Sequence, residues 1–401
     1  MKNVIYLTRT GLLEPLGQSQ VLNYLFGLSK KFSITIISNE RLDDLKDIDR
    51  VLRLKEKCAN HNIIWRPQKY RKRPRFFAQL FNILAMTYVV LKEILSGRAD
   101  VIHARSYIPA TVAWVLNFFT SIPFIFDMRG LWPEELIVSG RVIRGSLVHK
   151  VLKKIETLLL RDASVIVSLT NVASSYLKEK YPNELANKKI VVIPTCTNLD
   201  HFNVSLNSKN SSNIYGCIGS ITSGWFNTEY LSIFISTLSL RSPNINFEIV
   251  TRDNERDVRK AIDPNNSILE KLNVKYCQFE DMPNAIQSHD ISMMFYVGGE
   301  ISELGRSPTR MGEVLGCGLP VISNRGVGDV EKIILENNVG IIVEGKSKSQ
   351  MKEAVESLEK LLTDPDLSNR CRRTAESIFS LKSGTEAYNK IYFSILNMED
   401  F

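Results

Sequence analysis

Short continuous apolar runs alternate along this chain with longer stretches in which apolar residues recur at helical spacing. Continuous runs bounded by turn residues read as buried strands, and recurrence every three to four residues reads as amphipathic helix. In the first half, Val4–Leu7, Ser33–Ser38, Ile63–Trp65, Val101–His103, Pro123–Phe126, Ser164–Ser168 and Ile190–Ile193 predict strands. Between them, Ser19–Lys31, Leu42–Asn60, Phe76–Leu95 and Ala110–Phe119 predict helices. The first of these carries Ser19 as its N-cap, with Val21, Leu22, Leu25 and Leu28 on one face. A polar stretch rich in Ser and Asn, residues 203–213, then interrupts the pattern as a linker does.

Beyond the linker the alternation restarts. Ile214–Ile218, Phe247–Thr251, Val274–Cys277, Ile291–Phe295, Pro320–Ser323 and Gly340–Val343 predict strands. Helical patterns fall on Tyr230–Leu240, Pro283–Ser288, Thr309–Cys317, Gln350–Thr363 and Thr385–Leu396. Such alternation predicts an α/β fold with parallel sheets covered by helices on both faces. The expected plan is a first domain over residues 1–204 and a second over 212–380. A C-terminal helix within 381–401 is expected to pack back towards the first domain. Open α/β sheets bind ligands beyond the carboxyl ends of their strands. Two such halves therefore predict a shared cleft, with two independent domains as the alternative.

Composition narrows this only a little. The length of 401 residues suits two domains, and 44% hydrophobic with 23% charged residues excludes a mostly disordered chain. Lys and Arg number 51 against 43 Asp and Glu, a formal net charge of +8 that suits an anionic partner without choosing one. Cys58, Cys196, Cys217, Cys277, Cys317 and Cys371 are scattered, without a zinc spacing, and read as reduced thiols of a reducing compartment. Met1-Lys2-Asn3 leads directly into Val4-Ile5-Tyr6-Leu7, a run too short for a signal-peptide core. The longest apolar stretch, Phe76 to Leu91, is interrupted by Gln79, Asn82 and Thr87 and falls short of the roughly 20 residues of a spanning helix. A soluble or peripheral protein is expected.

The stretch richest in chemistry runs from Arg306-Ser307-Pro308-Thr309-Arg310 through Glu313 to Gly318-Leu319-Pro320-Val321-Ile322. Ser307 fits an N-cap, Pro308 the first helical position and Gly318 the helix end. Arg310 then lies in the first turn, where the helix dipole disfavours a cation by ~0.3–1 kcal/mol on a surface. A bound anion reverses that balance, because a helix N-terminus, hydroxyls and an arginine together cradle phosphate. Glu313 shares the face of Thr309 and Arg310, one turn deeper, where a carboxylate accepts hydrogen bonds from sugar hydroxyls. An ordinary Arg310–Glu313 ion pair is the equally weighted alternative.

This segment resembles the donor-binding signature of retaining GT-B glycosyltransferases, specifically glycosyltransferase family four. The resemblance implies two Rossmann-like domains facing across a central cleft, with Glu313 on the nucleotide ribose and Arg310 beside the diphosphate. Further matching stretches follow in chain order. Gly11 to Val21, with Glu14, Gly17 and Gln18, is similar to the family's first-strand loop, which approaches the donor phosphates and the acceptor. Asp100–Arg105 and Phe126–Trp132 are similar to its pocket-lining strand ends, Val192–Phe202 to the close of its first domain, and Tyr215–Trp225, with Ser220, to its second glycine turn. The sequence departs from the family at Gly305, where many members carry an earlier glutamate, with Glu303 as a nearby substitute. It also departs at Ile221–Phe226, which lack the usual Arg and Lys. Phosphate charge then falls to Arg306, Arg310, Arg252 and the Ser307–Thr309 backbone.

For catalysis Asp127 ranks first, since a carboxylate ending an apolar strand is costly unless it is paired or functional. Arg129, two residues on, is its structural partner on the plainer reading, and His103 is expected at another strand end. Glu134-Glu135 after Trp132 reads either as an acceptor contact, Glu135 above all, or as the acid-favouring start of a helix. The resemblance implies transfer with retention, in which the leaving phosphate takes the acceptor's proton, and implies neither metal nor cofactor. The implied partners are a nucleotide-sugar donor and a glycan or lipid-linked acceptor, in a cytoplasmic protein of bacterial surface-polysaccharide assembly. Arg66 to Phe77 is strongly basic with interleaved aromatics and reads as a contact for the anionic inner face of the membrane. A nucleic-acid strip and a solvated loop are the other readings of that segment; no nucleic-acid partner is expected. Two rivals share the architecture: a nucleotide-sugar epimerase, and a non-catalytic nucleotide-binding protein.

Overall fold

The computed structural model describes residues 1–71, 75–204, 212–263 and 269–398, and the side chains of 75–77 and 269 lie outside it. Residues 72–77 of the basic segment and 205–211 of the expected linker thus fall, in whole or in side chain, beyond the described residues.

The chain forms two compact units. The first comprises Met1–Pro194 together with Leu381–Phe401, and the second Thr195–Ser380. The first is built on strands β1 (Asn3–Thr8), β2 (Ser33–Arg41), β3 (Ile63–Tyr70), β4 (Val101–Arg105), β5 (Phe124–Asp127), β6 (Val165–Ser168) and β7 (Ile190–Val192). They form one sheet in the order β3-β2-β1-β4-β5-β6-β7, every pair parallel. The second carries β8 (Ile214–Ile218), β9 (Asn246–Val250), β10 (Leu272–Lys275), β11 (Ile291–Met294), β12 (Val321–Asn324) and β13 (Gly340–Val343). Their order is β10-β9-β8-β11-β12-β13, again parallel. Parallel strands covered on both faces must be apolar throughout, and β1, β4, β5, β6, β11 and β12 are buried nearly end to end.

In both sheets the strand order reverses, at β1/β4 in the first and β8/β11 in the second. At a reversal the two flanking loops run in opposite directions and leave a crevice beyond the carboxyl ends, the usual ligand site of such sheets. The backbone there is unusual. Ser106 follows β4 at φ 78°, Arg129 and Gly130 follow β5 at φ 59° and 139°, and Gly219 follows β8 at φ 131°. Left-handed non-glycine residues cost of order 1–3 kcal/mol and cluster at functional positions.

Six helices matter below: α1 (Arg75–Leu95), α2 (Tyr107–Thr120), α3 (Leu147–Asp162), α4 (Thr309–Gly316), α5 (Leu367–Thr374) and α6 (Leu381–Leu396). Several sequence expectations shift locally. Helical structure starts at Pro15, so Ser19 is no cap; it lies within the helical run and its hydroxyl donates to the Pro15 carbonyl at 3.0 Å. β4 continues two residues past His103 and ends on Arg105. α4 begins at Thr309 with Pro308 in the cap position, and the Ser307 hydroxyl accepts instead from the Thr195 amide at 3.1 Å. α1 ends at Leu95 as expected, but by length and composition alone Ala78–Leu95 is apolar enough to cross a membrane, contrary to the shorter apolar run expected. All six cysteines are free thiols, and only Cys277 is less than buried.

Residues 195–204 pack into the second unit for specific reasons. Leu199 and Phe202 join the core that contains Met311, Val314 and Leu315. Arg372 of α5 donates from Nη1 to the carbonyls of Leu199, Phe202 and Gly316, at 3.2, 2.8 and 2.9 Å. A Cβ on Gly316 would stand 2.7 Å from Leu199 Cδ2, and one on Gly312 2.8 Å from Phe379 Cβ. Both glycines let this segment and the Phe379 turn approach α4 closely.

Candidate functional site

In the first unit, the crevice at the β1/β4 reversal opens with the loop after β1. Glu40, buried near the end of β2, accepts from the amides of Leu12 and Leu13 at 2.8 and 3.1 Å. Burial pushes its carboxyl above the ordinary value, and those amides with Ser38 oppose the rise. Gly17 packs on the same loop: a Cβ there would lie 2.0 Å from the Gly11 carbonyl oxygen, so no side chain is possible. The loop amides are thus committed to Glu40. Glu14 pairs with Arg41 at 2.7 Å, and Gln18 is exposed just beyond it.

A buried polar cluster lies under the sheet's carboxyl end. Asp127 Oδ2 accepts from the Tyr388 hydroxyl at 3.1 Å and stands 3.4 Å from His103 Nε2. His103 Nδ1 is 2.7 Å from the Tyr392 hydroxyl. Burial drives the His103 pKa down against the pull of Asp127, so the ring is neutral near pH 7. With its proton on Nε2 facing the carboxylate, Nδ1 accepts from Tyr392. Arg129 Nη1 is 4.0 Å from Asp127 Oδ1, an oxygen without a hydrogen-bond donor among the described residues. Burial would raise the Asp127 pKa, but Arg129 and His103 outweigh it and hold the carboxyl below its ordinary value. Arg105, also buried, reaches Thr10 Oγ1 at 3.5 Å and feels Arg129 as a like charge. Two guanidinium groups, that of Arg105 buried and that of Arg129 nearly so, therefore share Asp127 as counter-ion, an arrangement that favours a further anion. Glu135 lies close against Gly130, 2.4 Å from where a Cβ would stand, while Glu134 is buried against Arg144 at 3.0 Å and Lys153 at 3.7 Å.

In the second unit, the turn after β8 is held by a residue the sequence reading missed. Asp253 accepts from the Ser220 hydroxyl at 2.9 Å and from the amides of Ile221 and Thr222 at 2.6 and 2.8 Å. Burial raises its pKa, and these donors outweigh the rise and bring it below the ordinary value. A short Asp that follows its strand by three residues carried no signal beyond that of any surface loop. Gly219, at the turn itself, faces open space. Arg252 is exposed, its guanidinium 5.7 Å from the Tyr276 ring centre.

The other wall comes from the segment before α4. Arg306 donates from Nη2 to Glu303 Oε1 at 2.9 Å, and its guanidinium lies 4.4 Å over the Trp225 ring. Glu303, expected as the substitute carboxylate, is thus buried and taken up by Arg306. Trp225 is a second residue the sequence reading did not single out. Arg310 forms an ion pair with Glu313, the plainer of the two alternatives, although the pair is not on a free surface: Glu313 is 5% exposed. Burial raises the Glu313 pKa and Arg310 opposes it. Among the described residues no side chain caps α4, and of its first-turn amides that of Met311 donates to the Pro308 carbonyl at 3.2 Å. The structure brings Arg306, Arg310 and Glu313 into one neighbourhood around the partly buried Tyr296. Arg252 and Ser220 sit on the loops after β9 and β8.

Residues 20–201 match the model of Glycosyltransferase Family 4. No curated protein matches the sequence. Among solved structures, a glycosyltransferase from Rickettsia africae superposes with a TM-score of 0.70 at 18% identity over 99% of both chains. HepE from Anabaena, in complex with UDP and glucose, gives 0.65 at 14% identity over 98% of this chain and 100% of the other. A putative UDP-N-acetylglucosamine 2-epimerase from Listeria monocytogenes gives 0.61 at 12% identity over 100% of this chain and 98% of the other. At such identities the likeness shows the fold alone, and that fold, with parallel sheets of seven and six strands, is GT-B. The chain therefore has the GT-B fold, and residues 20–201 within it match the Glycosyltransferase Family 4 model.

Proposed function

We propose that the protein transfers a sugar from a nucleotide-diphosphate sugar to a glycan or lipid-linked acceptor, with retention at the anomeric carbon, in bacterial surface-polysaccharide assembly. The observation that carries this reading is the buried carboxylate of Glu313 one turn into an uncapped helix, flanked by Arg310 and Arg306. Such an arrangement suits a nucleotide sugar: the arginines and the start of the helix take the diphosphate, and Glu313 accepts from the ribose hydroxyls. HepE, which shares the fold, was solved with UDP and glucose. Ser307, Thr309, Ser220 and Arg252 belong to the same donor set, as does Gly17 of the first unit.

In the reaction the acceptor hydroxyl oxygen bonds to the anomeric carbon while the bond from that carbon to the diphosphate oxygen breaks. The leaving phosphate takes the hydroxyl proton. The protein then mainly orients the reactants and stabilises the charge that builds on the phosphate, the task of Arg306 and Arg310. Asp127, His103 and Arg129 form the catalytic set of the first unit, with Asp127 Oδ1 open to a hydroxyl donor. Glu14, Gln18 and Glu135 are the acceptor contacts. The chemistry needs no metal or cofactor. A cytoplasmic location at the inner face of the cell membrane follows, with the basic segment Arg66–Phe77 meeting anionic lipid.

The epimerase reading is kept for one reason, the Listeria neighbour of that printed description. An epimerase consumes donor without any acceptor, so a donor-only assay separates the two. The direct test is thermal shift with nucleoside diphosphates and their sugars. One class should raise the melting temperature selectively, because a ligand bound only by the native state stabilises it. Glu313→Ala should weaken that binding by roughly tenfold or more, about 1.4 kcal/mol. If no nucleotide stabilises the protein, or Glu313→Ala binds as tightly as the wild type, the proposal fails.

A further inference from the structure

The outward faces of α1 and α2 carry exposed apolar side chains, as the start of α3 does with Leu147, Val148 and Val151. Between Ala78 and Leu91 every exposed position is Leu, Phe or Tyr, and every exposed position of α2 is Val or Phe. Tyr88 is 68% exposed and Leu95 79%; on α2, Phe118 and Phe119 are 80% and 76% exposed. A surface helix of a soluble protein turns charged or polar residues outward. α1 instead has two apolar faces: Ala78, Met86 and Val90 are buried, while Leu84, Tyr88 and Leu91 on the other side are exposed. α1 and α2 pack against each other. The second unit, by contrast, exposes only scattered large apolar residues such as Leu240 and Leu335 among those described.

Charge surrounds this face asymmetrically. Residues 63–98 hold eight Arg and Lys against one acid, Glu93, which leaves 43 basic and 42 acidic residues for the rest of the chain. Nearly all of the formal +8 therefore sits in the strand, loop and helix that carry the apolar face. Lys69 and Arg71 are exposed just ahead of α1, and Arg71 lies 3.8 Å over the ring of Phe81, joining charge to the apolar surface. The Asn82 side chain binds the Arg71 amide and carbonyl at 3.1 and 2.9 Å, which pins the helix start against the unit.

We infer that the outward face of α1, with the end of α2 beside it, lies in the interfacial layer of an anionic bilayer, Leu84, Tyr88 and Leu91 inserted and the cations ahead of α1 on the headgroups. This rests on the anionic-membrane reading of the basic segment and adds the face that enters the membrane. An interfacial helix requires one apolar side, one packed side and flanking Lys or Arg, and α1 has all three. Its packed side, held on the sheet, excludes a spanning orientation despite its length. A second copy of the chain is a poorer occupant, because a two-fold interface would bring two strongly basic rims together.

Vesicle cosedimentation tests this with no donor or acceptor present, so the result is independent of sugar transfer. Wild-type protein should bind phosphatidylcholine–phosphatidylglycerol vesicles and bind pure phosphatidylcholine far less. The variant Leu84→Ser/Tyr88→Ser/Leu91→Ser alters only exposed side chains and should bind the anionic vesicles roughly tenfold more weakly. Lys69→Glu/Arg71→Glu should lose binding and its salt dependence together. If the serine variant binds like the wild type, the apolar face has no part in docking and the inference falls, although the basic segment keeps its role. If the wild type ignores anionic vesicles, both fall. A concentration-dependent dimer in light scattering, abolished in the serine variant and accompanied by no vesicle binding, would assign the face to self-association instead.

Discussion

At the scale of single residues, burial and pairing decide which charges matter. Glu248 in β9 is the clearest case outside the donor side. Its carboxylate takes His289 Nε2 at 2.9 Å, Lys275 at 2.7 Å and Asn273 at 2.9 Å. Burial would raise its pKa, yet these partners bring it down from 4.5 to about 2. A depressed folded-state pKa contributes stability that is complete above the unfolded value and is lost as the pH falls through the folded one. The contribution, roughly 3 kcal/mol at neutral pH, should therefore vanish between pH 4.5 and about 2. Glu248→Gln should lower stability at pH 7 and meet the wild-type curve near the acid end; denaturant titrations across that range that stay parallel would refute the assignment. None of this was legible in the sequence, where Glu248, Lys275 and His289 lie on separate elements. The same holds for Tyr388, whose bond to Asp127 spans 261 positions. Asp127 itself was legible, because a carboxylate ending an apolar strand is conspicuous without any knowledge of its partner.

At the scale of elements, the strands of the described residues were visible in the sequence as short apolar runs, most plainly those buried on both faces. Helix ends were less visible. Ser307 and Pro308 have the right chemistry for a cap and a first turn, but the Ser307 hydroxyl is drawn to the Thr195 amide and the helix starts one residue later. Tertiary contact overrode the local signal. The same contact region shows how an element is fixed: Arg372 clamps the carbonyls of Leu199 and Phe202 to that of Gly316, the last residue of α4. A guanidinium serves several acceptors in one plane, and an ammonium cannot. Arg372→Met leaves those carbonyls unpaired and should cost about 2 kcal/mol, with faster amide exchange over Leu199–Phe202. Arg372→Lys should recover little of it. A loss under about 0.5 kcal/mol, or full recovery by lysine, would show that the apolar packing of Leu199 and Phe202 suffices alone.

At the scale of the whole molecule, the first unit is discontinuous: the chain leaves it at Pro194 and returns at Leu381. The returning helix α6 is part of its core. Tyr392 and Phe393 lie 5.1 and 5.4 Å from the Phe32 ring, and Tyr388 meets Tyr24 edge-on at 5.5 Å. Gly27 allows this approach, since a Cβ there would stand 2.6 Å from Thr385 Cγ2. α6 also supplies both hydroxyls that hold His103 and Asp127. The helix buries Tyr388, Ile391, Tyr392 and Phe393, each contributing about 1.5–3 kcal/mol by area alone. Their sum approaches the whole stability of an ordinary domain, ~5–15 kcal/mol. A chain ending at Ser380 should therefore lose exchange protection in β1 and β4 while keeping it in β8 and β12, whose cores contain nothing from α6. Tyr388→Phe, which keeps the ring and removes one hydroxyl, should cost only ~1–2 kcal/mol and leave both sheets protected. If the truncated chain kept β1 and β4 protected, α6 would be an appendage, and the orientation of His103 and Asp127 would have to come from the first 194 residues alone.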